Sequence, residues 1–126
     1  ATVPKISIVT RKAYGGAYVV MSSKKLGTDI TYAWPSAEIA VMGPEGAANI
    51  IYHKEINEAD DPEAARKRLT EKYREQFLNP YAASYAGYID EVIEPAETRI
   101  KIINALSVLS DKQLQTPARK HGNSPV

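Results

Sequence analysis

Apolar and polar positions alternate from Lys5 to Thr10, with Ile6, Ile8 and Thr10 set against Ser7 and Val9. Three β-branched aliphatics in so short a run predict a largely buried strand. The run stops at a basic pair, Arg11 and Lys12. Two adjacent glycines, Gly15 and Gly16, then precede a short predicted helix over Ala17–Ser23. Thr28–Trp34 reads as a second strand, ended by Pro35, which has no N–H for a ladder. Ala37–Met42 reads as a third, stopped by Gly43 and Pro44. A helix opens there, with Pro44 in its first turn and Glu45 placed favourably against the exposed N–H groups.

The second half is patterned for helices. Asp61-Pro62 is a strong start, an N-cap carboxylate followed by a proline at the first helical position. From there Ala65, Leu69, Tyr73 and Phe77 recur every four residues, a narrow apolar stripe on an otherwise charged helix. Asn79-Pro80 closes it. A short helix ending at Gly87, a strand or extended link over Tyr88–Ile93, and a last helix opened by Glu94-Pro95 follow. Ile100, Ile103, Leu106 and Leu109 are expected to form the inner face of that helix. After Lys112 the chain turns polar and basic, so residues 1–112 read as one domain portion and 113–126 as a tail. Strand, helix, strands and then several helices argue an α/β fold with helices outside a sheet. The residues show no internal repeat.

Composition narrows the chemistry more than it suggests any. The 126 residues are 44% hydrophobic and 25% charged, ordinary for a globular domain, and the formal charge of +1 offers no case for nucleic acid or a membrane surface. No run is long and apolar enough to span a bilayer. With no cysteine, thiol catalysis, thiolate metal sites and disulfides are excluded, which suits a cytosolic protein. An apolar strand begins within a few residues of Ala1, and few further strands are available to flank it. The expectation is a piece of a larger protein, or a chain that depends on a partner, with an open edge on the first strand.

Candidate chemistry is sparse. His53 and His121 lie far apart without metal-ligand spacing, and Asp60–Asp61 and Asp90–Glu91 read as helix-start and surface charges. No metal site is expected. The glycine pair has two readings. One is a tight strand-to-helix turn that needs positive φ. The other is a pair of backbone N–H groups at a helix start, converging on an anion or a developing oxyanion. It is neither a dinucleotide fingerprint nor a P-loop. Arg11 and Lys12 either guide an anionic substrate to it or form a solvated strand end. Tyr14 and Tyr18 flank the glycines and either wall a pocket or pack.

Four blocks, in order, carry a resemblance: "VPKISIVTRKAYGGAYVVMSS", "YAWPSAEIAVMGPEGAANIIY", "NPYAASYAGYIDEVIEPAETR" and "RKHGNSPV". Together they resemble the carboxyltransferase subunits of biotin-dependent acyl-CoA carboxylases and decarboxylases, over essentially the whole chain. The resemblance implies the last part of a crotonase-like domain, a partial ββα spiral with flanking C-terminal helices. It implies transfer of a carboxyl group between biotin, borne on a separate carrier protein, and a short-chain acyl-CoA of the propionyl or methylmalonyl type. By the same resemblance the amides of Gly16 and Ala17 donate to the ureido oxygen of biotin, without a metal. Gly15 and Tyr18 belong to the substrate site, and Val19 lines the acyl pocket as a small apolar wall. Partners implied are acyl-CoA, the biotin carrier and further carboxyltransferase subunits in a homo-oligomer, in the cytoplasm or, in a eukaryote, the mitochondrial matrix. Family sites form between two crotonase-like domains of different subunits, so this chain alone is expected to be inactive and to self-associate. The alternative is a non-catalytic oligomerisation or carrier-binding module of the same fold.

Overall fold

The computed structural model describes residues 2–113. Its elements in chain order are β1 (Ile6–Val9), β2 (Lys12–Tyr14), α1 (Gly15–Val20), β3 (Ile30–Ala33), β4 (Glu38–Ala40), α2 (Pro44–Ile51), α3 (His53–Asn57), α4 (Pro62–Phe77), α5 (Pro80–Tyr85), β5 (Glu91–Val92) and α6 (Thr98–Val108). Short 3-10 turns at Lys24–Leu26 and Pro95–Glu97 join them.

Strand, strand, helix occurs twice, as β1-β2-α1 and as β3-β4-α2. The first strands of each unit pair in one parallel sheet of order β1-β3-β5, with Ile6 opposite Ile30 and Val9 opposite Ala33. The second strands pair in a separate parallel sheet, Lys12 opposite Glu38 and Tyr14 opposite Ala40. The chain therefore advances by one strand in each sheet per unit, which is a partial crotonase-like ββα spiral. This repeat is one of geometry, and no sequence repeat accompanies it. β2 was not expected as a strand. Three residues are too few to show a period, and its pairing partner β4 lies far along the chain.

Alternation along β1 and β3 sorts side chains onto two cores. Ile6, Ile8, Ile30, Tyr32 and Trp34 pack with Ile93 and with Ala105 of α6. Val9 and Ala33 face the other way, into a cluster with Ala13, Ala37, Ile39, Ala83 and Ile89, against which Tyr18 and Tyr88 lean. Small side chains in this second cluster let the two sheets and α5 approach closely. β1 is less buried than its composition suggests: Ile6, Ser7 and Ile8 are half-buried and only Val9 is fully inside. The reason is its position at the sheet edge, with β3 on one side only.

Helix starts follow the local signals. Asp61 Oδ1 accepts from Glu63 N and Ala64 N, both at 3.1 Å, and caps α4. Asn79 works in both directions. Its Nδ2 donates to Glu75 O at the end of α4, and its Oδ1 accepts from Ala82 N to cap α5. Glu94 and Glu97 form a reciprocal capping box ahead of α6, and Gly87 ends α5 at φ +77°. Two stripe expectations need correction. On α4, Ala65 and Leu69 are buried but Phe77 is exposed, its ring tilted against Tyr73 at 5.0 Å between centroids. On α6 the buried position is Ala105, whereas Ile100, Ile103 and Leu106 point outward. Only a small side chain lets the helix lie close to Tyr32 and Ile93, and that contact set its rotation.

Asp90 and Glu91 are more than surface charges. Asp90 Oδ2 accepts from Thr31 N at 2.8 Å while its other oxygen pairs with Lys24, and Glu91 pairs with Lys101. Lys112, past the end of α6, donates to Val3 O at 3.0 Å and pairs with Asp29 at 2.8 Å, while Asp29 also accepts from Lys5 N. This ties the last described turn to the start of β1. No helix among the described residues is long and apolar enough to cross a membrane. His121 and residues 114–126 of the expected tail lie outside the described residues.

Candidate functional site

β2 ends at Tyr14 and α1 begins at Gly15, with no residue between them. Such an abrupt change of direction is possible because Gly15 adopts φ +58°, in the left-handed region. A Cβ there would also lie 3.0 Å from the carbonyl oxygen of Val41, so a side chain at the position is strained on two counts. Gly16 differs. Its φ is ordinary, and a Cβ built on it meets no atom within 4 Å. The fold requires the first glycine and makes no demand for the second.

The first N–H groups of a helix have no acceptor within it. No side chain caps α1, and its first turn carries no acidic residue. Among the described residues neither Gly16 N nor Ala17 N donates to the chain; the bonds recorded beyond the helix run from its other end, Met21 N to Ala17 O at 3.0 Å and Ser23 N to Val19 O at 3.5 Å. Gly16 and Ala17 are both exposed. Two adjacent donors are thus neither satisfied by protein nor sealed in hydrocarbon. The space beside Gly16 is open, and a side chain there would occupy it.

The surroundings divide the expected site residues. A cavity of about 370 Å³ between β1, β2 and α1 is lined by Ile8, Thr10, Lys12, Ala17, Tyr18 and Met21, among others. Ala17 and Tyr18 are brought together there. Gly15, Gly16 and Val19 are not part of its wall, and Val19 is 44% exposed on the outer side of α1. The Tyr18 hydroxyl is buried without a hydrogen-bond partner, and burial, reinforced by Tyr88, pushes its pKa up. Tyr18 therefore stays a neutral donor. Arg11 and Lys12 line this cavity and also a neighbouring one of about 570 Å³, which adds Trp34, Ser36, Glu38 and Arg74. His53 is exposed on α3 beside Asn57, and no cluster of metal-ligating side chains occurs among the described residues.

One set of residues near the junction escaped the sequence reading. The Tyr14 hydroxyl donates to Glu38 Oε2 across the β2–β4 pair. Arg74 of α4 stands 3.7 Å from Glu38, 3.7 Å from Glu45 and 2.9 Å from Glu71. No local signal announces this group, because its members come from four separate elements.

A family model described as carboxyl transferase domain matches residues 1–124. The chain is 57% identical over its whole length to the carboxyltransferase subunit of propionyl-CoA carboxylase from Haloferax mediterranei, covering 24% of that protein. It is 54% identical to methylmalonyl-CoA decarboxylase subunit alpha from Propionigenium modestum, again covering all of this chain and 24% of the relative. Among solved structures, transcarboxylase 12S superposes over all of this chain and 24% of its own, with a TM-score of 0.92 at 56% identity. The β subunit of Pseudomonas aeruginosa geranyl-CoA carboxylase is 19% identical with a TM-score of 0.69 over 92% of this chain and 23% of its own, a likeness of fold alone. The chain spans about a quarter of the length of these relatives. With the family match running over nearly every residue and the ββα spiral in place, the chain belongs to the carboxyl transferase domain family.

Proposed function

We propose that this chain is the biotin-facing part of a carboxyltransferase that moves a carboxyl group between biotin and a short-chain acyl-CoA. The observation that carries the reading is the contrast within the glycine pair. Gly15 answers to the fold, while Gly16 has open space before it and an unpaired amide, so the reason for a glycine there lies outside the chain. The relatives' names point to propionyl-CoA and methylmalonyl-CoA as the acyl class.

Biotin, presented by its carrier, supplies the transferable carboxyl group and a ureido oxygen on which negative charge develops. Gly16 N–H and Ala17 N–H would donate to that oxygen. Because the donors are fixed before the charge appears, they stabilise it without reorganising, and losing one such donor slows catalysis by about 10²–10³-fold. Ala17 and the neutral Tyr18 line the adjoining cavity, where a bulky planar group would be shielded from water. Arg11 and Lys12 at the cavity rim favour an anionic partner. Val19, exposed outside this cavity, would line the acyl pocket as a small apolar wall in the assembled enzyme. Discrimination by one methylene at such a wall is worth only about 1–3 kcal/mol, so selection among short acyl groups is loose.

The second donor pair, for the acyl-CoA carbonyl, would come from the remainder of the protein or from another subunit, and this chain by itself would then be inactive. The transcarboxylase 12S structure is described as a hexamer binding methylmalonyl-coenzyme A, which supports an oligomer here as well. The test is Gly16→Val in the full-length subunit, assayed for carboxyl transfer to propionyl-CoA with its carrier. Activity should fall by about 100-fold or more while the oligomer persists. Retained activity would instead favour a non-catalytic assembly or carrier-binding module.

A further inference from the structure

The direction of the Gly16 and Ala17 amides is set by very little within α1 itself. The helix has six residues, none of them buried, and no side chain caps it. It begins with a glycine, which adds backbone freedom at the point where rigidity matters. A preorganised pair of donors needs an anchor, and the anchor has to sit immediately upstream, because rotation about Tyr14 and Gly15 swings both following peptide planes.

Tyr14 is held on three sides. Its backbone belongs to β2, in register with Ala40 of β4. Its hydroxyl donates to Glu38, two residues earlier on that neighbouring strand. Its ring lies against Gly43, so close that a Cβ on Gly43 would stand 3.8 Å from ring atom Cδ2. Gly43 is the N-cap of α2, so the ring lies beside the start of the neighbouring helix. Glu38 in turn lies in an ion pair with Arg74, 3.7 Å from its buried Nε, and the guanidinium also lies 3.7 Å from Glu45 in the first turn of α2 and bonds Glu71 on its own helix. Burial, and then the bond to Glu38, raise the Tyr14 pKa far above the ordinary phenol value, so the hydroxyl remains a donor.

We infer that Tyr14, Glu38 and Arg74 form a strut that positions the Gly16 and Ala17 amides for catalysis without touching the substrate. The inference rests on the carboxyltransfer reading of those amides. It assigns the strut an effect on the transition state, not on substrate affinity. A shift of the donors by a fraction of an ångström weakens their bonds to developing charge far more than it disturbs ground-state binding.

The experiment uses the full-length subunit with its biotin carrier and compares Tyr14→Phe, Glu38→Ala, Glu38→Gln and Gly16→Val. The readouts are kcat, the KM for propionyl-CoA, the melting temperature and oligomer size. Tyr14→Phe and Glu38→Ala should each lower kcat about tenfold, with KM within about twofold and the oligomer intact. Glu38→Gln keeps an acceptor oxygen for the phenol and should recover most of the loss suffered by Glu38→Ala. If Gly16→Val abolishes transfer but Tyr14→Phe leaves kcat unchanged, the strut is refuted while the reading of the amides stands. If the kcat loss in Tyr14→Phe is fully matched by loss of folded oligomer, the residue is structural only and the inference fails. If Gly16→Val retains activity, the reading of the amides itself falls, and the strut with it.

Discussion

The two strand-to-helix junctions of the spiral, β2–α1 and β4–α2, occupy equivalent places in successive ββα units and end differently. At the second, the chain takes three residues, Val41 to Gly43, before the helix starts, and Gly43 has an ordinary φ of −63°. Pro44 removes one of the free N–H groups, Glu45 brings a carboxylate to the first turn, and Pro44, Ala47 and Ala48 are buried. At the first junction the turn is immediate, no carboxylate is present, and no residue of the helix is buried. One helix start carries its own proline and carboxylate and is packed against the core. The other is left open, with glycine where a side chain would block approach. Neither helix start carries a side-chain cap, so free first-turn N–H groups are common to both. What distinguishes the first is the missing carboxylate and the exposure of Gly16 and Ala17, which is what the proposed binding of an external acceptor requires.

Four substitutions would break or sharpen this contrast. Gly16→Val in the full-length subunit has the largest expected effect, about 100-fold or more on carboxyl transfer, equivalent to about 3 kcal/mol or more. The same change should leave the melting temperature of this chain unaltered, since the position has no neighbour to clash with. A marked fall in stability would show that Gly16 serves the fold after all. Gly15→Ala should do the opposite. Positive φ and the nearby Val41 carbonyl should destabilise the chain by about 1–3 kcal/mol, read by denaturant unfolding. Stability equal to the parent would mean the junction relaxes freely.

Ala17→Glu would make the first junction resemble the second by placing a carboxylate in the first turn of α1. Stability should rise by about 0.3–1 kcal/mol, from the interaction with the helix start. Transfer should nonetheless drop about tenfold, because the protein's own negative charge competes for the two amides. Activity and stability moving together would contradict the reading. The smallest effect is expected for Glu45→Gln, a loss of a few tenths of a kcal/mol in urea, since the carboxylate is 71% exposed and its pairing with Arg74 is screened.

Where local chemistry sufficed, the elements were legible. Asp61-Pro62, Asn79-Pro80 and Glu94-Pro95 each mark a helix start, because a cap is satisfied within about three residues of its own position, and Gly43-Pro44 marks another through its proline at the first helical position, without a side-chain cap. The family blocks were legible for a different reason, being long and in order. Failures occurred where burial depended on a distant element. β2 needs β4 to exist as a strand. The rotation of α6 was expected from its largest apolar side chains, yet Ala105 faces the sheet, because close packing on Tyr32 and Ile93 rewards the smallest residue. Tyr14 was singled out only as a flank of the glycines, and its partner Glu38 is 24 positions away.

Sequence alone therefore determined the proline-marked helix starts, the α/β class, the family and the place of the glycine pair at a strand–helix turn, although the first helix runs over Gly15–Val20 and includes both glycines, not over Ala17–Ser23. Sequence left open which of the two glycines is structural, because φ and the approach of Val41 depend on how the second ββα unit stacks on the first. Only the tertiary arrangement separated Gly15 from Gly16. A residue's steric freedom is a property of what lies across from it in space, and those neighbours come from elsewhere in the chain.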